Sequence, residues 1–345
     1  MKKIMGKKVT AICAAVFMAA SLMACGSSTA TSSVSSAAST PAQSSAADAA
    51  TSAAATPAAA TSAAVTSAAA SSAAATAASG ASTAAASGSV IASGSSALLP
   101  LAQAAAQDYM KANPNSSVVV NGGGSGTGLK QVSDGSVDIG NSDVFAAEKL
   151  DAKSAAALKD HEVCTITMAP VVNKSLGISN LTTAQLVSIF TGKTKNWKEV
   201  GGSDEAIMLV TRPDSSGTRA LFKKWALGGA EEASNSALET DDSGTLLQTV
   251  QDNKGAIGYV ALSYLVNAQN VQAVSIDGVA PTLENTNNGK YKVWGYEHMY
   301  TKGDGSAQAQ AFISYITGSD FAAKLEAMGY GTASKLSSDA VSAHK

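Results

Sequence analysis

The sequence predicts an α/β protein carried behind a long, low-complexity N-terminal segment. Three observations point there. Short β-branched runs alternate with stretches of helical periodicity, the pattern of βαβ units and mainly parallel sheets. A strand followed by a Ser/Gly turn and a helix start occurs three times. Composition also changes abruptly near residue 88. From 26 to 88 the chain is almost wholly Ala, Ser and Thr, with Asp48 as its only charge. That segment explains why 45 % of residues are hydrophobic but only 14 % charged and 5 % aromatic, against the ~25 % charge of an ordinary protein. The 257 residues from 89 to 345 suffice for a sizeable core, as one large unit or two lobes.

The elements follow in order. Val90-Ile91-Ala92 reads as a strand, and Ser93-Gly94-Ser95-Ser96 as a turn. Leu98, Leu101, Ala105 and Tyr109 then recur every three or four residues, which predicts a helix over 97–112, stopped by Asn113-Pro114. Val118–Val120 is the next strand, followed by the glycine-rich run 122–128 and a short helix opening at Leu129. Val137–Gly140 reads as a strand ending in Asn141-Ser142-Asp143. Further on, Ile207–Val210 is a strand, Thr211–Gly217 a turn, and Thr218–Leu227 a helix.

The first 25 residues read as an export signal. Lys2, Lys3, Lys7 and Lys8 precede the apolar stretch Val9–Ala20, which is shorter than the ~20 residues a membrane span needs. Leu22-Met23-Ala24-Cys25 then resembles the bacterial lipoprotein signal. That resemblance implies removal of residues 1–24, lipid on Cys25 and anchoring outside the cytoplasmic membrane. An ordinary secretory signal that happens to contain Cys25 is the alternative. Residues 25–88 are expected to be a disordered linker, because Ser and Thr compete for backbone hydrogen bonds and no apolar stripe exists to pack. A flexible coil of that length spans roughly 40–45 Å. It would serve as a tether or as filler of no fixed role.

Charge and cysteine usage exclude several classes. Lys and Arg number 24, and Asp and Glu 26. Without the signal, 20 basic residues face 26 acidic ones. A mildly acidic chain argues against a nucleic-acid partner. With Cys13 in the signal and Cys25 lipidated, Cys164 stands alone in the apolar run Val163–Ile166. No internal disulfide and no C-x-x-C metal spacing follow, and Cys164 reads as a small buried hydrophobe.

The recurring strand–turn–helix element occurs at Gly94-Ser95-Ser96, Gly124-Ser125-Gly126-Thr127 and Ser215-Ser216-Gly217-Thr218. A helix N-terminus offers unpaired N–H groups and about half a positive charge. Glycine admits an anion to the backbone, and Ser and Thr add hydroxyl donors. Each instance alone is explained by ordinary helix capping. Three of them beside Arg212 and Asp143 suit a tetrahedral oxyanion. Leu129 stands where a phosphate-loop Lys belongs and breaks the dinucleotide fingerprint, and Thr127 breaks G-x-S-x-G. His161, His298 and His344 form no cluster. No cofactor is called for.

These strings together resemble the phosphate-binding component of bacterial phosphate ABC transporters, over nearly all of residues 89–337. The resemblance rests on 92–96, 124–131, 137–143 and 212–218. It rests also on Ile189–Lys193 with Asn196-Trp197, and on Gly255–Tyr259. It implies a periplasmic-binding-protein fold of two α/β lobes joined by two crossover strands. Lobe 1 would comprise 89–168 and 295–337, lobe 2 would comprise 169–294, and 338–345 would be a tail. The crossovers would lie near Met168–Val172 and Tyr291–Tyr296. The resemblance also implies a ligand set. Ser96, Ser125, Ser216 and Thr218 would give hydroxyl donors, and Ala97 and Gly217 backbone donors. Asp143 would accept a hydrogen bond from the protonated phosphate, and Arg212 would bind the anion with Asp214 as its ion-pair partner. The partners would be inorganic phosphate, membrane permease subunits and, through the lipid, the membrane, with the receptor itself a monomer.

The residues argue against the competitors. Sulfate, molybdate or tungstate would bring Asp143 no proton. A secreted phosphatase would need a metal cluster or a nucleophile–base pair. An adhesin or signalling lipoprotein would not need Ser96, Ser125, Asp143, Arg212, Ser216 and Thr218 intact together.

Overall fold

The computed structural model describes residues 87–344. The signal, Cys25 and all but the last two residues of the expected linker lie outside the described residues. In chain order, β1 (Gly88–Gly94) and α1 (Leu99–Ala112) precede β2 (Ser116–Asn121), α2 (Ser125–Asp134) and β3 (Ile139–Ser142). α3 (Ala152–Ala156) leads into β4 (Leu158–Asn173), followed by β5 (Asn180–Leu181), α4 (Thr183–Phe190) and β6 (Met208–Thr211). Then come α5 (Gly217–Trp225), β7 (Leu238–Glu239), α6 (Ser243–Asp252) and β8 (Ala256–Ala261). β9 (Val271–Ala273), β10 (Ser275–Ile276) and α7 (Leu283–Asn287) lead to β11 (Trp294–Lys302). α8 (Ala307–Ile316), α9 (Ser319–Leu325), β12 (Tyr330–Gly331) and α10 (Ser338–Ser342) complete the chain.

The main sheet runs β2-β1-β3-β11-β4-β8-β6-β7, with β9 and β12 also on β4. Its outer parts are parallel as predicted: β2-β1-β3 on one side and β8-β6-β7 on the other. Its centre is antiparallel, which corrects the expectation of mainly parallel pairing. The cause is β4. Its residues 158–167 pair with β11, and from Met168 onward it pairs with β8 instead. The returning chain runs beside it in the opposite direction. The Met168 amide donates to the Val293 carbonyl at 2.9 Å, and the Tyr291 hydroxyl to the Met168 carbonyl at 2.7 Å. Two lobes therefore share one continuous strand.

Local chemistry sets the helix starts. α1 begins at Leu99, two residues later than predicted, because Ser95 Oγ accepts the Leu98 amide at 3.0 Å and holds 95–98 as a turn. Pro100 then occupies the first turn, where its missing N–H costs nothing. α2 begins at Ser125, four residues before the predicted Leu129, because Gly124 at φ 86° turns the chain directly into the helix. Apolar side chains dominate the cores. Tyr109 packs edge-on against Phe312, and Phe222 stacks on Tyr259 at 4.0 Å. Cys164 is buried, and burial pushes its thiol well above the usual range. Ser338–Ser342 form α10, and the His344 ring stacks on Trp225 and lies tilted against Trp294.

Candidate functional site

Four helix N-termini meet between the two halves of the sheet. Three are the predicted ones, at α1, α2 and α5. The fourth opens α6, after the turn that carries Asp241 and Asp242. All four end strand-to-helix turns, so each delivers unpaired amides and a hydroxyl to one place.

Arg212 follows β6 and is fully buried. Its Nη1 donates to the Asp241 carbonyl at 3.2 Å, and its Nη2 to Ser243 Oγ at 2.9 Å and the Tyr259 carbonyl at 3.1 Å. The guanidinium lies 5.4 Å from the Tyr259 ring centroid. Its Nε has no protein partner. Ser96 reaches the same turn from the other half: its Oγ donates to the Asp241 carbonyl at 2.7 Å and lies 2.9 Å from Ser243 Oγ. Ala97 is buried beside it, its carbonyl held by the Tyr330 hydroxyl at 2.6 Å.

On the other flank, the Asp143 amide donates to Ser125 Oγ at 3.0 Å, and Thr218 Oγ1 donates to Asp143 Oδ2 at 2.6 Å. Asp143 Oδ1 is buried without a donor. Ser216 caps α5, accepting the Arg219 amide at 3.3 Å. Gly217 is required here: a Cβ would stand 2.2 Å from Ser125 Oγ and 3.0 Å from Asp143 Cβ. The halves are thus locked together at the site. The Gly126 amide donates to the Ser215 carbonyl at 2.9 Å, and Lys149 Nζ to the Asp214 and Ser216 carbonyls at 2.7 and 3.2 Å.

Ser96, Ala97, Ser125, Asp143, Arg212, Ser216, Gly217 and Thr218 are therefore brought together. Asp214 is not. Its carboxylate is 92 % exposed and pairs with Arg219 at 3.1 Å, so the expected Arg212–Asp214 pair is corrected. The carboxylate near Arg212 is Asp241, at 3.7 Å. The reason is geometric. Pro213 and Asp214 lie on the outward turn, whereas a buried guanidinium needs a partner inside. Sequence reasoning missed Asp241, Ser243, Lys149 and Glu297. Ser243-Gly244-Thr245 repeats the Ser216-Gly217-Thr218 string, and that repeat was the available signal. Cys25 lies outside the described residues.

The site is not strongly positive. Burial raises the Asp241 carboxyl above its ordinary range, against the pull of Arg212. Half-burial lowers the Lys149 ammonium, against nearby carboxylates led by Glu148. Glu297 is raised well above the carboxylate range, first by burial and then by the charge of Asp143. Neutral donors on fixed backbone, one arginine and one accepting carboxylate suit an oxyanion that still carries a proton. Among the described residues, no group of three or more His, Cys, Asp or Glu is placed to hold a metal ion.

Two lobes on a shared strand, with donors converging between them, define a solute-binding protein, and the chain belongs to the PBP superfamily, whose domain model matches residues 79–320. It is 51 % identical over 235 residues to the phosphate-binding protein PstS of Bacillus subtilis, covering 68 % of this chain and 76 % of that one. Its family within the superfamily is that of the PstS phosphate-binding proteins. Among solved structures, a phosphate ABC transporter substrate-binding protein with bound phosphate from Clostridium perfringens superposes with a TM-score of 0.65 at 32 % identity. That match covers 71 % of this chain and 99 % of that one. An ABC-type phosphate transport receptor from Vibrio cholerae gives 0.56 at 26 % identity, covering 70 % and 99 %.

Proposed function

We propose that this chain is an extracytoplasmic receptor that binds inorganic phosphate between its lobes and delivers it to an ABC permease. The family is one of transport receptors rather than enzymes. The observation that carries the reading is a buried arginine donor without a protein partner, Arg212 Nε, together with the buried Asp143 carboxylate, within a ring of helix N-termini. Ser125 and Ser216 donate hydroxyls, Ser96 and Thr218 turn theirs to the ligand from the Asp241 carbonyl and from Asp143 Oδ2, Ala97 and Gly217 donate amides, Arg212 contributes charge, and Asp143 accepts a hydrogen bond from the protonated ligand. The lobes are 89–168 with 295–337, and 169–294. The receptor acts as a monomer, held to the membrane by lipid on Cys25.

Calorimetric titration of the mature protein tests the ligand. Phosphate should bind, with sulfate and molybdate weaker by at least about tenfold. No heat with phosphate, or equal affinity for all three, would sink the reading. Cys25→Ala should abolish lipid labelling and release the protein from the membrane fraction. Unchanged labelling would remove the anchor from the proposal.

A further inference from the structure

Glu297 has no ligand-binding role in the site as described, yet it is a fully buried carboxyl beside it. It lies in the middle of β11, opposite Cys164 of β4. The groups that act on it are Asp143, after β3, and the Ser95 hydroxyl; none is a cation, and no titratable group of α2 or α5 contributes. Glu297 in turn acts on the Cys164 thiol and on the Tyr330 phenol of β12. A bare negative charge in that setting is very costly.

Elimination places a proton. Glu297 Oε1 accepts from Ser95 Oγ at 3.3 Å, while Ser95 Oγ accepts the Leu98 amide. Asp143 Oδ2 accepts from Thr218 at 2.6 Å. The oxygens left over are Glu297 Oε2 and Asp143 Oδ1, both buried and both without a donor. The antiparallel register that sets His298 of β11 opposite Ser142 of β3 brings Glu297 beside Asp143, the next residue along. Neighbouring buried carboxylates cannot both ionise, and a single O–H between them satisfies both orphaned oxygens. Thr218 donates to Asp143, which makes Asp143 the better seat for the negative charge.

We propose that Glu297 is a positioning residue of the anion site: it stays protonated, donates a hydrogen bond to Asp143, and so fixes the Asp143 carboxylate to accept a hydrogen bond from the protonated ligand. This rests on the reading of Asp143 given above. Donation then runs one way, from Ser95 to Glu297, from Glu297 to Asp143, and from the ligand to Asp143. An anion without a proton has nothing to give to the end of that chain. Ionisation of Glu297 in alkali would set a second negative charge behind the first.

Two variants of the mature protein test it. Glu297→Gln supplies a donor with no titratable proton, and Glu297→Leu removes the donor. The infrared spectrum of the wild type at neutral pH should show a carbonyl band of a neutral buried carboxylic acid that is absent from Glu297→Gln. Phosphate affinity of Glu297→Gln should match the wild type within about twofold at neutral pH and exceed it progressively as the pH becomes alkaline. Glu297→Leu should bind phosphate about tenfold more weakly, with a smaller preference over sulfate. The proposal is overturned by a band that persists in Glu297→Gln, by parallel pH profiles, or by folded Glu297→Leu that binds as the wild type does. The band and the pH profile decide even if Glu297→Leu does not fold. Asp143→Asn, run alongside, separates the two readings. An unchanged phosphate preference there refutes the role of Asp143, whereas the infrared band still reports where the proton sits.

Discussion

The segment from β6 into α5 joins two ion pairs of opposite character. Arg219 and Asp214 meet on the outside at 3.1 Å, with Asp214 92 % exposed. Arg212 and Asp241 meet inside at 3.7 Å, with Arg212 fully buried and Asp241 nearly so. The shorter contact is the less important one. An exposed pair contributes ~0–1 kcal/mol, because water already solvates both charges. Breaking a buried pair costs ~3–5 kcal/mol, because the survivor is left without water or partner. Burial, rather than distance, ranks the two.

The sharpest test of that ranking is Arg212→Ala. Phosphate affinity should fall by several kcal/mol, roughly 2–5, much of it from leaving Asp241 unpaired. Adding Asp241→Ala should then cost less than its effect alone, while adding Asp214→Ala should be additive within about 0.5 kcal/mol by calorimetry. Coupling to Asp214 instead would reverse the assignment of inner and outer pairs.

A second inner carboxylate gives a smaller effect. Asp143→Asn keeps the shape and removes the charge, so sulfate binding should improve and phosphate binding weaken moderately. Competitive titration should show selectivity narrowed by about tenfold, or ~1.4 kcal/mol. A mutant that rejects sulfate as strongly as the parent would rule out Asp143 as the discriminator.

The pH dependence of stability sharpens the comparison further. Burial raises the Asp241 carboxyl in the folded state. The folded protein then holds that proton more tightly than the unfolded chain. Its contribution is full below the ordinary carboxylate range and declines as pH rises above it. Asp241→Asn escapes the decline, so its melting temperature relative to wild type should improve from acid to neutral pH. A constant offset would mean that burial does not strain this carboxylate. The smallest effect belongs to the outer pair: Asp214→Ala should leave phosphate affinity within about twofold, roughly 0.4 kcal/mol, and a tenfold loss would give it the inner role after all.

Much of the architecture and most of the site were legible in the sequence because both rest on local patterns. Strand runs, Gly/Ser turns and helix starts placed Ser96, Ser125, Asp143, Arg212, Ser216 and Thr218 within a few residues of strand ends. Asp214 misled for the same reason: it neighbours Arg212 along the chain, and sequence proximity carries no information about which way a turn faces. Asp241 and Ser243 follow the two-residue strand β7, too short to leave a periodic signal. Glu297 sits among Trp294, Gly295, Tyr296 and His298, and only the central position of β11 in the sheet reveals that it is buried. The antiparallel centre was hidden because partner choice along β4 changes within one unbroken strand.

That unbroken strand has a mechanical consequence. At roughly 3.4 Å per residue, β4 extends about 34 Å on one side of Met168 and about 17 Å on the other. The two lobes are arms of one lever, with the fulcrum at Met168 and its neighbours Tyr291 and Val293. Torsion in the two backbone segments that pass between the lobes would open the cleft and leave the strand ladders on either side intact. A twist of a few degrees at the fulcrum becomes a displacement of ångströms at the tips. The Thr218 hydroxyl on Asp143 and the Lys149 ammonium on the Asp214 and Ser216 carbonyls join the two halves away from the shared strand, and so resist that displacement.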